Sequence, residues 1–188
     1  MKATFHHRLY SVLLTGGLAL AVPLAAQAGG PDHHSTDKTD PSDAQILGVA
    51  DTANTGEIGQ GNIALSKAQR DSVKQFAQLM VKDHTAAKDK GRAVAKELGL
   101  TPAPSGLSNG VQKDGNDATA QLGKATPENF DRTYMQLQVR LHEKVLKTLD
   151  ELIPKADAQQ VKALLTDMRG HVEHHLSAAR TTLSSLEK

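Results

Sequence analysis

The sequence predicts an all-α fold of four long amphipathic helices, with a short turn inside each pair and one long connection between the second and the third. Three observations predict it. Apolar residues recur at i, i+3, i+4 and i+7 over four long stretches. Capping residues, glycines and prolines fall at the ends of those stretches. Two of the three breaks are short, whereas the middle one, 100–125, spans 26 residues.

Before the first helix, residues 1–28 read as a secretory signal. Lys2 and Arg8 give a positive start, 9–24 is a short apolar run broken by Gly16, Gly17 and Pro23, and Ala26-Gln27-Ala28 is a small-residue cleavage pattern. That run is too short and too broken for a membrane span. Cleavage after Ala28 is expected to leave an exported chain, periplasmic or associated with the cell envelope, with no transmembrane segment. Lys2 and Arg8 are two of the 22 basic residues, so 20 remain against 21 acidic ones, a balance that argues against nucleic acid as a partner. The absence of cysteine excludes a disulfide framework, a thiol nucleophile and a thiolate metal site. Residues 29–41, GGPDHHSTDKTDP, read as a flexible leader in which His33-His34 is solvated. The remaining 42–188 is one domain's worth of chain, long enough to bury a core. Phe76, Phe130 and Tyr134 are its only aromatic residues, so Leu, Val, Ile, Ala and Met must build that core.

Ser42 and Gln45 form a capping-box pattern at the start of the first helix. Its apolar face runs from Ile46 through Val49, Ala50 and Ala53 to Ala64 and Ala68, with Glu57 on the same face. Gly56, Gly59 and Gly61 surround Glu57. Each glycine costs a helix roughly 1 kcal/mol against alanine, which points to close approach of another backbone, a kink, or simply a weak helix. The second helix carries Val73, Phe76, Ala77, Met80, Ala87, Val94 and Leu98 on one stripe and stops at Gly99. His84 falls on that stripe; Asp83, about 100° away, is expected to face outward. The 100–125 connection, with Pro102 and Pro104, is too long for a hairpin loop. It reads as a crossover the length of a helix, with a poor short helix over 111–122. Thr126 and Pro127 start the third long helix, which carries Phe130, Tyr134, Leu137, Leu141, Val145 and Leu149, with His142 between Val139 and Leu146, and which Pro154 closes. The fourth runs over about 157–186, with His175 between Val172 and Ala179, His171 on the flank and His174 outside. This order is the connectivity of a ferritin-like four-helix bundle.

Each long helix thus places one ionisable group on its inner face: Glu57, His84, His142 and His175. At 1.5 Å per residue, Glu57 and His84 lie about 18 and 22 Å from the first turn, and His142 and His175 about 20 and 30 Å from the second. His171, at about 24 Å, matches that level better and stands as the substitute in the fourth helix. Three imidazoles and a carboxylate suit one zinc, copper, manganese or iron ion. The other reading is a structural polar core in which Glu57 and Tyr134 orient the histidines and no metal is held. No serine–histidine motif of a nucleophilic triad is present.

Glu57-Ile58 with Gln60 and Ala64, Val73-Lys74-Gln75-Phe76-Ala77, Met80-Val81-Lys82-Asp83-His84-Thr85, Phe130-Asp131-Arg132-Thr133-Tyr134 with His142, and His175-Leu176 together resemble a bacterial ferritin-like family. It is the family catalogued as domain of unknown function 4142, whose members are often labelled outer membrane proteins. The resemblance covers about 44–186, nearly all of the chain after the leader, and its most specific part is MVKDHT at 80–85. It implies an exported helical bundle, favours His175 over His171, and supplies no activity. Ferritin-like di-iron sites place Glu three residues before each of two histidines, where this chain has Val81, Val139 and Val172. No di-iron centre and no ferroxidase or oxygenase activity is therefore expected. Three function classes follow: a non-enzymatic binding or envelope-stress protein with a buried Glu/His cluster; a mononuclear metal-binding protein or metalloenzyme using Glu57, His84, His142 and His175; and a bundle that binds an envelope protein or polymer, its histidines only structural.

Overall fold

The structure, a computed structural model, describes residues 40–187. The signal over 1–28 and the His33-His34 pair lie outside the described residues. The described residues form five α-helices: α1 (Asp43–Lys67), α2 (Asp71–Glu97), α3 (Gly106–Lys124), α4 (Pro127–Leu152) and α5 (Gln159–Ser185), with a 3-10 turn, Ile153–Lys155, between the last two. Among the described residues there is no strand, and no helix is long and apolar enough to cross a membrane.

Local chemistry sets the helix ends. Ser42 and Gln45 make the reciprocal capping box at the start of α1. Gly99, at φ 65°, ends α2; its N–H donates to the Lys96 carbonyl and that of Leu100 to the Ala95 carbonyl, the paired bonds of a Schellman stop. The first backbone donors around α2 and α5 have no cap from their own segments and take one from another helix. The buried Asp131 carboxylate accepts from Gln69 N and Arg70 N at 3.1 and 2.7 Å. Asp43 accepts from Asp157 N and Ala158 N at 3.0 and 2.8 Å. Each turn is thereby tied to the start of a helix elsewhere in the chain.

Helix directions follow from which residues meet. Asn54 faces His84 while Gly61 faces Val81 and Ala77, so α1 and α2 run antiparallel. Arg169 pairs with Asp150 and Arg180 with Glu143, so α4 and α5 do too. Lys90 with Asp167 and Asp83 with His175 make α2 and α5 antiparallel as well. The 100–125 crossover rises beside α1, from the Ala103–Ala44 backbone bond to the packing of Ala118 and Leu122 with Ala64 and Ala68. Where a poor short helix over 111–122 is expected, a 19-residue α3 stands, started by a Ser105/Ser108 capping box. It packs on α1 and α4.

Two apolar clusters fill the interior. One gathers Val73, Phe76, Met80, Phe130 and Leu122; the other gathers Ile46, Leu149, Leu164, Met168 and Val172. Between them every long helix contributes buried polar side chains instead: Asn54, Glu57 and Gln60 from α1, His84 from α2, Gln138 and His142 from α4, and His175 from α5. The core is therefore interrupted at mid-height by a polar belt, and burying such groups is costly unless each finds a partner.

Candidate metal centre

His84, His142 and His175 are all buried, 7%, 1% and 1% exposed. Their ring centroids form a nearly equilateral triangle with sides of 5.9, 5.3 and 5.6 Å. Each ring offers a nitrogen, and the three lie within 4.8 Å of one another. The opposite nitrogen of each ring is held by an oxygen: His84 Nδ1 by Asn54 Oδ1 at 2.8 Å, His142 Nδ1 by the Gln138 carbonyl at 2.9 Å, and His175 Nε2 by Asp83 Oδ2 at 3.0 Å. A carbonyl or carboxylate oxygen has no hydrogen to give, so the ring nitrogen facing it carries the proton and donates. That fixes the tautomers. The remaining nitrogens, His84 Nε2, His142 Nε2 and His175 Nδ1, then carry lone pairs and have no protein partner.

Burial keeps these rings neutral. It holds His84 well below the ordinary imidazole range, reinforced by the mutual repulsion of a charge there with His142, His175 and His171. It pushes His142 down to about 4 against the opposing pull of the Gln138 carbonyl. His175 is lowered by burial as well, the bond to Asp83 working the other way. At neutral pH all three offer lone pairs without first releasing a proton, the condition for metal ligation.

Glu57 is buried within the belt, but its carboxylate is not among the groups mutually within 4.8 Å. Burial raises its pKa to about 7, opposed by the neighbouring Gln138 amide and by His175. Tyr134 is fully buried with its hydroxyl unpartnered, and burial followed by the Glu57 charge pushes its pKa up. Neither residue holds a histidine ring; Asn54, Gln138 and Asp83 do. The expectation that Asp83 faces outward is overturned: its side chain is 20% exposed and bonded to His175. The angular step from His84 to Asp83 turns the side chain from the bundle axis to α5, the neighbouring helix, rather than to solvent. His171 stays outside, its side chain 55% exposed and 3.9 Å from Asp167. By helical rise His175 stands about 24 Å from the start of α5 at Gln159 and His142 about 15 Å from the end of α4 at Leu152. The two rings nevertheless meet, because 153–158, a 3-10 turn followed by residues outside any helix, takes up the difference.

Asn54, Gln60 and Gln138 carry no chemistry that marks them in the sequence, yet their spacing does. Asn54, Glu57 and Gln60 follow at intervals of three on the inner face of α1, and Tyr134, Gln138 and His142 at intervals of four on α4. Gln138 Nε2 donates to Gln60 Oε1 at 3.1 Å, and Gln60 Nε2 to the Gly115 carbonyl at 3.4 Å, joining the belt to α3.

Fold and site together define an all-helical protein with three inward-facing, unprotonated histidine nitrogens at the centre of its core. The chain belongs to the family described as domain of unknown function (DUF4142), whose model matches residues 28–182. No curated protein and no solved structure matches it.

Proposed function

We propose that this is an exported ferritin-like protein that binds one divalent transition-metal ion, with His84 Nε2, His142 Nε2 and His175 Nδ1 as ligands. One observation carries the reading: three buried lone pairs face one another, each on a ring whose other nitrogen is already committed to an oxygen. A purely structural network would pair such acceptors with donors. Here an unsatisfied acceptor costs about 1–3 kcal/mol, and a single water has two hydrogens for three lone pairs. A cation satisfies all three at once. Ring nitrogens held from behind by carboxylate and carbonyl oxygens are the usual support of metal-bound histidines, fixing the ring and raising its basicity.

Three neutral imidazoles without thiolate favour zinc, copper or nickel over manganese or calcium. An ion about 2.1 Å from each nitrogen holds tetrahedral ligands roughly 3.4 Å apart. Occupation therefore draws the rings inward from the present 4.8 Å limit. The up-down-down-up course of α1, α2, α4 and α5, with the crossover in the middle, supports the ferritin-like reading, and the 1–28 pattern supports export.

The test is elemental analysis of untagged protein purified without chelators, followed by zinc titration of chelator-treated protein. One equivalent is expected, with a rise in unfolding temperature of several degrees when zinc exceeds its dissociation constant about 100-fold, equivalent to ~2.7 kcal/mol. His84→Ala combined with His142→Ala abolishes both. A folded wild type that takes up no zinc, copper, nickel or cobalt ends the proposal.

A further inference from the structure

The reading of the triad as an ion site leaves the rest of the ion's coordination to be filled, and a second set of buried atoms bears on it. Glu57 Oε2, Tyr134 Oη and Gln138 Oε1 are buried without a protein partner. Their place follows from helical spacing. Glu57 lies three residues beyond Asn54, whose side chain holds His84, while Gln138 and Tyr134 precede His142 by four and eight. The oxygens accordingly form a layer that begins one helical turn from the nitrogens, roughly 5.4 Å along the axis. The Glu57 carboxylate is not among the groups that lie mutually within 4.8 Å, so it is not a direct ligand in the present geometry. The spacing of one turn matches the reach of a water on the ion, about 2.1 Å of metal–oxygen bond plus about 2.7 Å of hydrogen bond.

The far side of Glu57 opens on a groove of about 700 Å³ between α1, α3 and α4. Gly56 and Gly59 form its α1 wall beside Glu57, and Gly106 and Gly110 part of its α3 wall. A Cβ on any of these four would meet nothing within 4 Å. The glycines therefore do not serve helix contact here, and they leave these stretches of the groove wall without side chains.

We propose that the metal centre is an open one. Its fourth position carries a water that donates to Glu57, and small monodentate anions entering by the α1–α3–α4 groove exchange with that water. A closed structural site would surround the ion with four protein ligands; here three converge, and the buried oxygen acceptors stand beyond the fourth position, at the distance of a hydrogen bond from a water bound there.

Cobalt(II), loaded into chelator-treated protein, has visible bands that report its ligands, and azide is the probe. The expected result is one cobalt per chain with a saturable spectral change on adding azide. Glu57→Gln should keep the cobalt and bind azide roughly 10-fold more tightly, because the displaced water loses a charged acceptor and the anion no longer meets a buried carboxylate. Gly56→Leu, whose Cβ would meet nothing within 4 Å and whose side chain narrows the groove, should slow azide entry in stopped flow and leave the final spectrum unchanged. Cobalt bound with a spectrum indifferent to azide overturns the open site and leaves the histidine ion site standing. Azide affinity and entry rate unaltered in both variants overturn the roles of Glu57 and the groove. Failure to take up cobalt overturns the ion site and the open position together.

Discussion

The nitrogen of each ring that faces away from the triad decides what the triad can do. His84 is held by a neutral amide and His142 by a backbone carbonyl, while His175 is held by the Asp83 carboxylate. A charged acceptor makes its ring the most basic of the three and the strongest donor to an ion. Asp83→Asn keeps the volume and an acceptor oxygen and removes the charge. Zinc affinity, measured by competition with a chromophoric chelator, should fall about 10–100-fold, with little change in the unfolding of metal-free protein. Unchanged affinity would make Asp83 a surface polar residue that merely touches His175. The three histidines were legible in the sequence because each interrupts an apolar stripe at the spacing of its own helix. Asp83 was not, because helical phase measures the angle from one helix axis and says nothing of which neighbour lies at that angle. Asn54 and Gln138 were hidden for another reason: amides are common on helix surfaces, and only the burial of their faces gives them a role.

Among the elements, α3 shows where periodicity runs out. Only Ser108, Ala118 and Leu122 of its 19 residues are buried, too few for a visible stripe, and Gly110 and Gly115 lower its helix propensity. Its start is capped by a serine pair rather than the serine–glutamate pair that a sequence pattern would pick out. The four long helices carry apolar stripes along most of their length, broken only at the polar belt, and were legible from end to end within a residue or two. The glycines of α1 divide in a way that propensity alone does not reveal. A Cβ at Gly48 would lie 2.0 Å from the Ala103 carbonyl oxygen, at the point where the crossover is bonded to Ala44. One at Gly59 would meet nothing. Gly48→Ala should therefore destabilise by about 1–3 kcal/mol, while Gly59→Ala should stabilise by roughly 0.5–1 kcal/mol. Urea unfolding of the two variants checks this, and effects of the same sign would show that backbone approach at Gly48 does not matter.

For the whole molecule, the polar belt makes stability depend on pH through opposing contributions. The histidines have folded pKa values below the unfolded 6.5, His142 near 4. Their stabilisation is complete above 6.5 and is lost as pH falls towards 4, because the unfolded chain takes up protons that the fold refuses. Glu57 is the reverse, raised from 4.5 to about 7. Its contribution is complete below 4.5 and is lost as pH rises through 7, because the unfolded carboxyl ionises first. Three groups act in one direction and one in the other, so metal-free wild type should lose stability on acidification from pH 7 to 4.5. Glu57→Gln isolates the opposing carboxylate. The variant should exceed wild type at pH 8 by something on the order of 3 kcal/mol, and the advantage should shrink steadily towards pH 4.5, where Glu57 is protonated in both states. Urea unfolding of both proteins across that range, with a chelator present throughout, measures the difference directly. A gap that stays constant with pH would mean that Glu57 ionises as easily in the fold as out of it, and that the oxygen side of the belt is wetter than its burial implies.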